Sequence, residues 1–186
     1  MKRVFDMLLG LFLILLLIIP MLITALLVTL TSPGAIIYWS PRIGKKNEVF
    51  NMPKFRTMQV GAPTVATHLL KNPDAYLTPI GSFLRRSSLD ELPQLWSILK
   101  GDMSFVGPRP ALFNQDDLVA LRTQFGVDSL MPGLTGWAQI NGRDDLPIPE
   151  KVKFDVEYLQ NQSFLFDIKI LCITFLKVFK KENVAH

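Results

Sequence analysis

Hydrophobic residues are unevenly distributed along this chain, and their pattern divides it into two parts. The run from Leu8 to Leu30 contains no charged residue, and about 20 apolar residues are enough for a helix to cross the hydrocarbon of a bilayer. Beyond residue 38, apolar and polar positions alternate in short runs, as they do in soluble domains. The pattern predicts a membrane-anchoring helix over residues 1–38 and a membrane-associated domain over residues 39–186.

The flanks and the middle of the apolar run favour a helix that enters the bilayer and returns. Pro20 lies near its centre, and an interior proline removes a helical hydrogen bond and bends the helix. Lys2 and Arg3 precede the run, Lys45 and Lys46 follow it, and basic flanks favour the cytoplasmic side. A re-entrant helix that bends at Pro20 places both flanks in the cytoplasm, so we expect the domain to be cytosolic.

The apolar run has two other interpretations. A kinked helix that spans the bilayer has the same composition and stays open on the residues alone. A cleaved signal peptide is disfavoured, because the run is longer than a typical signal core and no small-x-small cleavage pattern follows it.

The remaining pattern predicts an α+β fold, a small and mostly helical domain with short strands. Apolar and aromatic runs predict strands at 35–39, which could also be an interfacial segment, and at 49–58. Helical spacing recurs over 111–126, 149–160 and 164–181. The last helix is amphipathic and too interrupted to span a bilayer, so it fits either an interfacial helix or one packed on the core.

Two adjacent acids, Asp90 and Glu91, stand where a helix is expected to begin. Ser88 and Glu91 have the spacing of a capping box, but Pro93 is tolerated only in a first turn, so we predict a helix beginning at Asp90. Acids in a first turn often do no more than complement the helix dipole. Apolar residues then recur at helical spacing and predict a core face ended by Lys100 and Gly101: Leu92, Leu95, Trp96 and Leu99.

Basic residues near these acids are candidate phosphate ligands. Lys54 and Arg56 would share one face of the second strand. Arg85 lies just before the acids, and Arg109 stands between two prolines that restrict its backbone and would hold its guanidinium in place. Arg143 follows a glycine and is a further candidate contact. Each could equally be a solvated surface charge.

Composition excludes several kinds of site. The single cysteine, Cys172, rules out an intrachain disulfide, and the two histidines are too few and scattered for a zinc site. The formal net charge of +4 suits an anionic membrane surface or phosphate-bearing substrates. No nucleic-acid-binding module, Walker loop or dinucleotide fingerprint is present, so no nucleic-acid partner is expected.

Four motifs, in order, resemble the bacterial sugar transferase family, the monotopic polyprenyl-phosphate phosphoglycosyl transferases. They are SLDELPQL (88–95), KGDMS (100–104), GPRP (107–110) and PGLTGWAQINGR (132–143). The resemblance extends over nearly the whole chain, and the chain is similar to the minimal form of the family. One departure is Ile19, where the family often has serine before the membrane proline, and this leaves the geometry of the bend open.

The resemblance implies a reaction and a role for each motif residue. Such enzymes transfer a sugar phosphate from a UDP-sugar to undecaprenyl phosphate and release UMP. Asp90 would be the nucleophile that forms an aspartyl-phosphosugar intermediate. Glu91 would hold Mg²⁺ and assist deprotonation of the acceptor. Arg109 would bind the diphosphate, while Lys54 and Arg85 match basic positions of the family motifs.

The same resemblance implies partners and a location. The expected partners are a UDP-sugar, undecaprenyl phosphate and the lipid bilayer, with Mg²⁺ as cofactor. The expected location is the cytoplasmic face of the bacterial inner membrane, at the first membrane step of glycoconjugate synthesis. Neither the sugar nor the oligomeric state follows from the sequence, and a dimer is compatible with it.

Overall fold

The computed structural model describes residues 1–63, 72–142 and 146–179, and it has the mixed helix and strand composition that the pattern predicted. Its α-helices are α1 (Lys2–Thr31), α2 (Gly81–Arg86), α3 (Gln94–Lys100), α4 (Asp116–Gln124), α5 (Trp137–Ile140), α6 (Ile148–Asn161) and α7 (Phe164–Phe179). Its strands are β1 (Ile37–Ile43), β2 (Val49–Phe55), β3 (Ser104–Val106) and β4 (Gly133–Thr135).

The strands form two small two-stranded sheets. β1 and β2 are an antiparallel hairpin in which Tyr38 lies opposite Lys54. β3 and β4 are a parallel pair, with Ser104 opposite Gly133. The second predicted strand begins at Val49 as expected but ends at Phe55, three residues before the predicted end. The first strand continues beyond its predicted end because its backbone pairs with β2 as far as Ile43.

Helix α1 is the apolar anchor, and one of its faces lies against the domain over nearly its full length. It is long and apolar enough to cross a membrane, and it is assigned as one helix through Pro20. Its buried residues include Asp6 and Gly10 near one end and Val28 near the other. Val28 packs with Phe55 and Leu84 in a buried cluster. Both ends of the anchor therefore contact the same folded domain.

Polar contacts fix the first turns of α1. The carboxylate of Asp6, which is buried, accepts hydrogen bonds from Ser104 Oγ (2.8 Å) and from the backbone N–H of Phe105 (3.3 Å). Lys2 Nζ contacts Asp167 Oδ2 at 2.6 Å and donates to the carbonyl of Val106 at 3.0 Å. The anchor thus satisfies groups along the edge of β3 that β4 leaves unpaired.

The predicted helix start at Asp90 is wrong. Residues Leu89–Glu91 form a single 3₁₀ turn, and regular helix begins at Gln94. The reason is local: Ser88 adopts a left-handed backbone (φ 56°), and its side chain makes no capping hydrogen bond, so the capping box does not form. The end of the helix is as predicted, with Gly101 at φ 105° after Lys100.

The buried face of α3 also differs from the prediction. Leu95 and Ile98 are its buried apolar residues, whereas Trp96 is 57% exposed. Of the predicted set, Leu95 is buried and Leu92 and Leu99 are half-buried, while Ile98 is buried in place of Trp96.

Helix α7 buries both apolar and polar residues against the domain and leaves other apolar residues exposed. Ile170 is buried in the main core cluster. Asp167 is buried and accepts a hydrogen bond from Tyr158 Oη (2.6 Å), and the hydroxyls of Thr174 and Thr135 are 2.8 Å apart. Leu165, Phe175 and Leu176 are exposed. The helix packs on the domain, as one of the two predicted forms had it, and its exposed apolar face suits an interfacial position.

We expect Asp6→Ala to destabilise the protein, because Ser104 Oγ and the Phe105 N–H would be buried without an acceptor. The cost of such orphaned groups is about 1–3 kcal/mol, measurable as a lower free energy of unfolding in detergent. Asp102→Ala is the matched control, since it removes a carboxylate from an ion pair with an exposed lysine, Lys100, which is worth about 0–1 kcal/mol. Equal losses in the two variants would contradict the anchoring role of Asp6.

Candidate active site

The acid dyad, Asp90 and Glu91, occupies the tight turn between α2 and α3. The left-handed backbone of Ser88 begins this turn, and Pro93 ends it one residue before α3. Asp90 is buried, with 6% of its surface exposed, while the side chain of Glu91 is 21% exposed. The turn therefore gives two neighbouring carboxyl groups different environments.

Two cations hold the carboxylate of Glu91. Its Oε1 atom lies 2.7 Å from Lys54 Nζ and 3.1 Å from Arg109 Nη2. Burial alone favours the neutral acid, but Lys54 and Arg109 outweigh it and hold the pKa of Glu91 well below its usual range. Glu91 therefore stays ionised, and its Oε1 atom contacts both Lys54 of β2 and Arg109 of the loop that follows β3.

The second acid has the opposite shift. Burial raises the pKa of Asp90 to about 6, and the charge of Glu91 adds to the rise, against the attraction of Lys54, Arg85 and Arg109. A buried carboxylate with few compensating contacts keeps a high affinity for electrophiles and protons. At neutral pH Asp90 is mostly ionised and poorly solvated, a condition that suits a nucleophile.

Arg85 completes the ring of positive charge around the dyad. Its Nε donates to Thr57 Oγ1 at 3.1 Å. Burial lowers the pKa of Arg85, while the charges of Asp90 and Asp74 act against this. A guanidinium stays protonated in proteins even after such a shift, so Arg85 contributes a fixed positive charge near Asp90.

Arg109 lies in a rigid loop, the proline corner, formed by Pro108, Arg109 and Pro110. Neither proline has a backbone N–H, so the corner is held through its carbonyls. The carbonyl of Pro108 accepts from the N–H of Gly133 at 2.9 Å. The carbonyl of Arg109 accepts from Arg122 Nη1 at 2.8 Å, and that of Pro110 from Arg42 Nη1 at 3.2 Å.

Close backbone contact before the proline corner leaves no space for a side chain. A Cβ placed on Gly107 would lie 2.1 Å from the carbonyl oxygen of Met131, and one on Gly136 would lie 2.1 Å from the carbonyl oxygen of Gly107. Both distances are far inside van der Waals contact, so glycine is required by space alone. These close backbone contacts therefore fix the position of the proline corner relative to the end of β3.

A buried ion pair behind the corner was missed by sequence reasoning. Arg122 of α4 is 8% exposed and Asp155 of α6 is 1% exposed, and Arg122 Nη2 lies 2.7 Å from Asp155 Oδ2. The sequence predicted helices over both segments, 111–126 and 149–160, but no buried charge in either. The residue spacing in α4 could have indicated that Arg122 is buried, because Arg122 stands four residues after Leu118, the buried apolar position of α4.

The structure brings together most of the predicted site residues. They are Lys54, Arg85, Asp90, Glu91 and Arg109. Arg56 lies beyond the end of β2 and donates to the carbonyl of Pro33 at 2.7 Å, so its predicted pairing with Lys54 as a phosphate ligand gains no support from these contacts. Arg143 lies outside the described residues, and its role stays a prediction.

The donor set at the dyad suits a magnesium ion only in company with a substrate. In the described ranges no cluster of three or more histidine, cysteine or acidic side chains is placed to hold a metal. Magnesium commonly takes one or two carboxylates and completes its shell with phosphate oxygens and water. The adjacent carboxylates of Asp90 and Glu91 provide that minimum, and a diphosphate would provide the remaining oxygens.

Comparison with known proteins gives a consistent result. Residues 1–181 match the family described as bacterial sugar transferase. A Bacillus subtilis (strain 168) protein named uncharacterized sugar transferase EpsL is 39% identical over 100% of this chain and 90% of its own length.

Two further relatives have names that specify a reaction. The UDP-glucose:undecaprenyl-phosphate glucose-1-phosphate transferase of Escherichia coli (strain K12) is 44% identical over 96% of this chain. The UDP-galactose-lipid carrier transferase of Erwinia amylovora is 35% identical over 98% of this chain. The chain spans only 40% and 41% of these two relatives, respectively.

We expect the two dyad acids to affect stability in opposite directions in the absence of ligand. Because the pKa of Asp90 is raised in the folded protein, its ionisation costs stability as pH rises from about 4 to about 6, and the cost persists above that range. Asp90→Asn should therefore raise the free energy of unfolding by about 1–3 kcal/mol at pH 8. The gain should disappear near pH 4.

Glu91→Gln is the paired control for this measurement. The lowered pKa of Glu91 means that its charge stabilises the fold above its ordinary pKa, and its removal leaves Lys54 and Arg109 close together without a counter-charge. We expect a loss of about 2 kcal/mol or more at pH 8. Unfolding curves that move in the same direction for both variants would contradict the assigned electrostatics.

Proposed function

The chain belongs to the bacterial sugar transferase family, and on that premise we propose that it transfers a sugar 1-phosphate from a UDP-sugar to undecaprenyl phosphate. The products are UMP and a polyprenyl diphosphate-sugar. The observation that carries the proposal is a buried carboxylate, Asp90, set beside a permanently ionised one and three cations. The relatives' names support the substrate classes, and because they specify both glucose and galactose, the sugar is left open.

We assign the nucleophile to Asp90. Its carboxylate attacks the phosphorus that carries the sugar, the bond from that phosphorus to the UMP oxygen breaks, and an aspartyl-phosphosugar forms. A phosphate oxygen of the lipid acceptor then attacks the same phosphorus and releases Asp90. Glu91 is less suited to attack, since Lys54 and Arg109 already occupy its Oε1 atom.

The cations around the dyad would offset the repulsion between a carboxylate and a diphosphate. Charge that spreads over the phosphoryl oxygens in the transition state is stabilised by donors already in position. Lys54 and Arg109 can exchange their contact with Glu91 for contact with phosphate oxygens, and Arg85 lies close enough to influence Asp90. Arg109, in the proline corner, is the residue whose planar guanidinium can bind two phosphate oxygens at once.

Glu91 is the proposed ligand for magnesium, which would supply Lewis-acid neutralisation of the diphosphate when bound. The pKa of Glu91 lies well below its usual range, and a carboxylate with a low pKa is a weak base. We therefore assign Glu91 to holding charge rather than to removing a proton from the acceptor.

The packing of α1 supports a re-entrant anchor, and the basic residues that flank the apolar run favour the cytoplasmic face for the domain. A helix of 30 residues is about 45 Å long, whereas the hydrocarbon core is about 30 Å thick. Lys2 at one end and Val28 near the other both contact the domain. If α1 crossed the bilayer as a straight helix, the domain that contacts both of its ends would also have to lie across the bilayer with its polar contacts. Entry and return at Pro20 keep both ends of α1 on one side.

The same packing brings the dyad near the lipid. Leu89 and Leu92, which flank the dyad, pack against the buried cluster of Val28, Phe55 and Leu84, as do Met21 and Ala25 in the second half of α1. Trp96 lies four residues after Leu92 on the same face of the chain and is 57% exposed. Exposed tryptophan is typical of the membrane–water interface. An acceptor phosphate held at that level would lie within reach of Asp90.

Turnover tests the reaction. With UDP-sugars, undecaprenyl phosphate and Mg²⁺, we expect the wild type to release UMP repeatedly, and without the lipid to release about one UMP per enzyme, because the covalent intermediate then has no acceptor. Asp90→Asn should fall below about one-thousandth of the wild-type rate. Asp102→Asn, which alters a surface ion pair, is the control with unchanged activity.

Three results would overturn the proposal. Continuous UMP release without lipid would indicate hydrolysis of the UDP-sugar. Failure to release UMP with any UDP-sugar of a broad panel would remove the transferase reaction. Substantial activity of Asp90→Asn would remove Asp90 as nucleophile while leaving the overall reaction in place.

Labelling of single cysteines tests the topology. In a Cys172→Ser background, Val4→Cys and Lys45→Cys should both react with a membrane-impermeant thiol reagent only after the inner face of the membrane is exposed. Leu15→Cys, which is exposed on the apolar face of α1, should stay protected because it faces lipid. Reaction of Val4→Cys and Lys45→Cys from opposite sides would establish a spanning helix.

A further inference from the structure

The buried pair behind the proline corner carries an inference about how Arg109 is aimed. We propose that Arg122, held by Asp155, is a positioning residue that orients Arg109 toward the diphosphate of the substrate. The inference rests on the proposed function, since it concerns binding at the same site. It assigns a role to two helices that have no described contact with the dyad.

The first support is the direct contact between Arg122 and the backbone of Arg109. Arg122 Nη1 donates to the carbonyl oxygen of Arg109 at 2.8 Å. The residues on both sides of Arg109 are prolines and offer no N–H. The orientation of the peptide that follows Arg109 therefore depends on what binds its carbonyl, and Arg122 supplies that hydrogen bond.

The second support is the rigidity of Arg122 itself. Its Nε and Nη2 atoms both donate to Asp155 Oδ2, at 2.9 Å and 2.7 Å. A guanidinium is planar, so fixing two of its nitrogens also fixes the direction of the third. Leu118 and Val152 stand one helical turn before Arg122 and Asp155, respectively, and lie together in one buried apolar cluster.

The third support is the opposite end of Arg109. Its Nη2 contacts Glu91 at 3.1 Å, and its side chain is 35% exposed, so the guanidinium lies at the open side of the site. A long side chain amplifies any rotation at its own backbone. Loss of the hydrogen bond from Arg122 should thus displace the guanidinium of Arg109 more than it displaces the surrounding fold.

A purely structural role is the competing explanation, because breaking any buried ion pair destabilises a protein. The two explanations differ in where the effect appears. A structural role lowers stability and reduces active enzyme whatever stands at position 109. A positioning role weakens nucleotide binding only while an arginine at 109 is present to be aimed.

The test is a double-mutant cycle between Arg122→Lys and Arg109→Ala, made in the full-length protein in detergent or nanodiscs. Two quantities are measured for each variant, the KM for the UDP-sugar and the Kd for UDP by calorimetry. We expect Arg122→Lys to raise both by about tenfold with a smaller change in kcat. In the Arg109→Ala background, Arg122→Lys should produce no further increase.

Two matched variants complete the design. Arg3→Lys changes an arginine that also donates to a backbone carbonyl, that of Leu99, but outside the site, and it should leave both constants unchanged. Asp155→Asn keeps an acceptor oxygen for Arg122 while removing the charge, so it should change KM and Kd in the same direction but less. Its smaller perturbation provides a folded variant should Arg122→Lys fail to fold.

The possible outcomes separate the two levels of inference. Equal increases in both Arg109 backgrounds, or normal constants in folded Arg122→Lys and Asp155→Asn, would overturn the positioning role. Lack of turnover by the wild type would overturn the proposed reaction instead. The UDP affinities would still decide whether Arg122 acts through Arg109, since they do not depend on catalysis.

Discussion

The carboxylate of Glu91 is the interaction on which the site depends. One oxygen atom receives Lys54 from the hairpin and Arg109 from the proline corner, so two segments far apart in sequence converge on a single turn. Without that negative charge, the two cations would repel each other across the site. Burial, with the charge of Glu91 added to it, raises the pKa of the neighbouring Asp90. The two carboxylates of the dyad therefore differ: Glu91 holds the cations, and Asp90 is left poorly solvated.

Much of this arrangement was predictable from local sequence. The anchor was evident from an uncharged run, and the hairpin strand with Lys54 from its residue types. Arg109 was identified because two prolines restrict its backbone, and in the structure the carbonyls of Arg109 and Pro110 both accept hydrogen bonds from arginine side chains. In each of these cases the physical cause acts within a few residues, where a sequence pattern can record it.

Other features could not be predicted from local patterns. The helix start at Asp90 failed because Ser88 takes a left-handed backbone, a conformation that is uncommon for any residue other than glycine and that the residue type therefore did not predict. The buried pair of Arg122 and Asp155 failed for a different reason. Polar residues are normally exposed, so no buried charge was expected in these two helices, although the Leu118 spacing could have indicated an inward direction for Arg122.

The long contact between α1 and the domain has a practical consequence for anyone who handles the protein. Deletion of the anchor would not liberate a water-soluble catalytic fragment. It would remove Asp6 from the edge of β3 and Val28 from its cluster with Phe55 and Leu84. Part of the interior would then be exposed to solvent. The anchor is therefore part of the folded domain as well as its attachment to the membrane. Purification has to keep detergent or lipid around the anchor and the domain together.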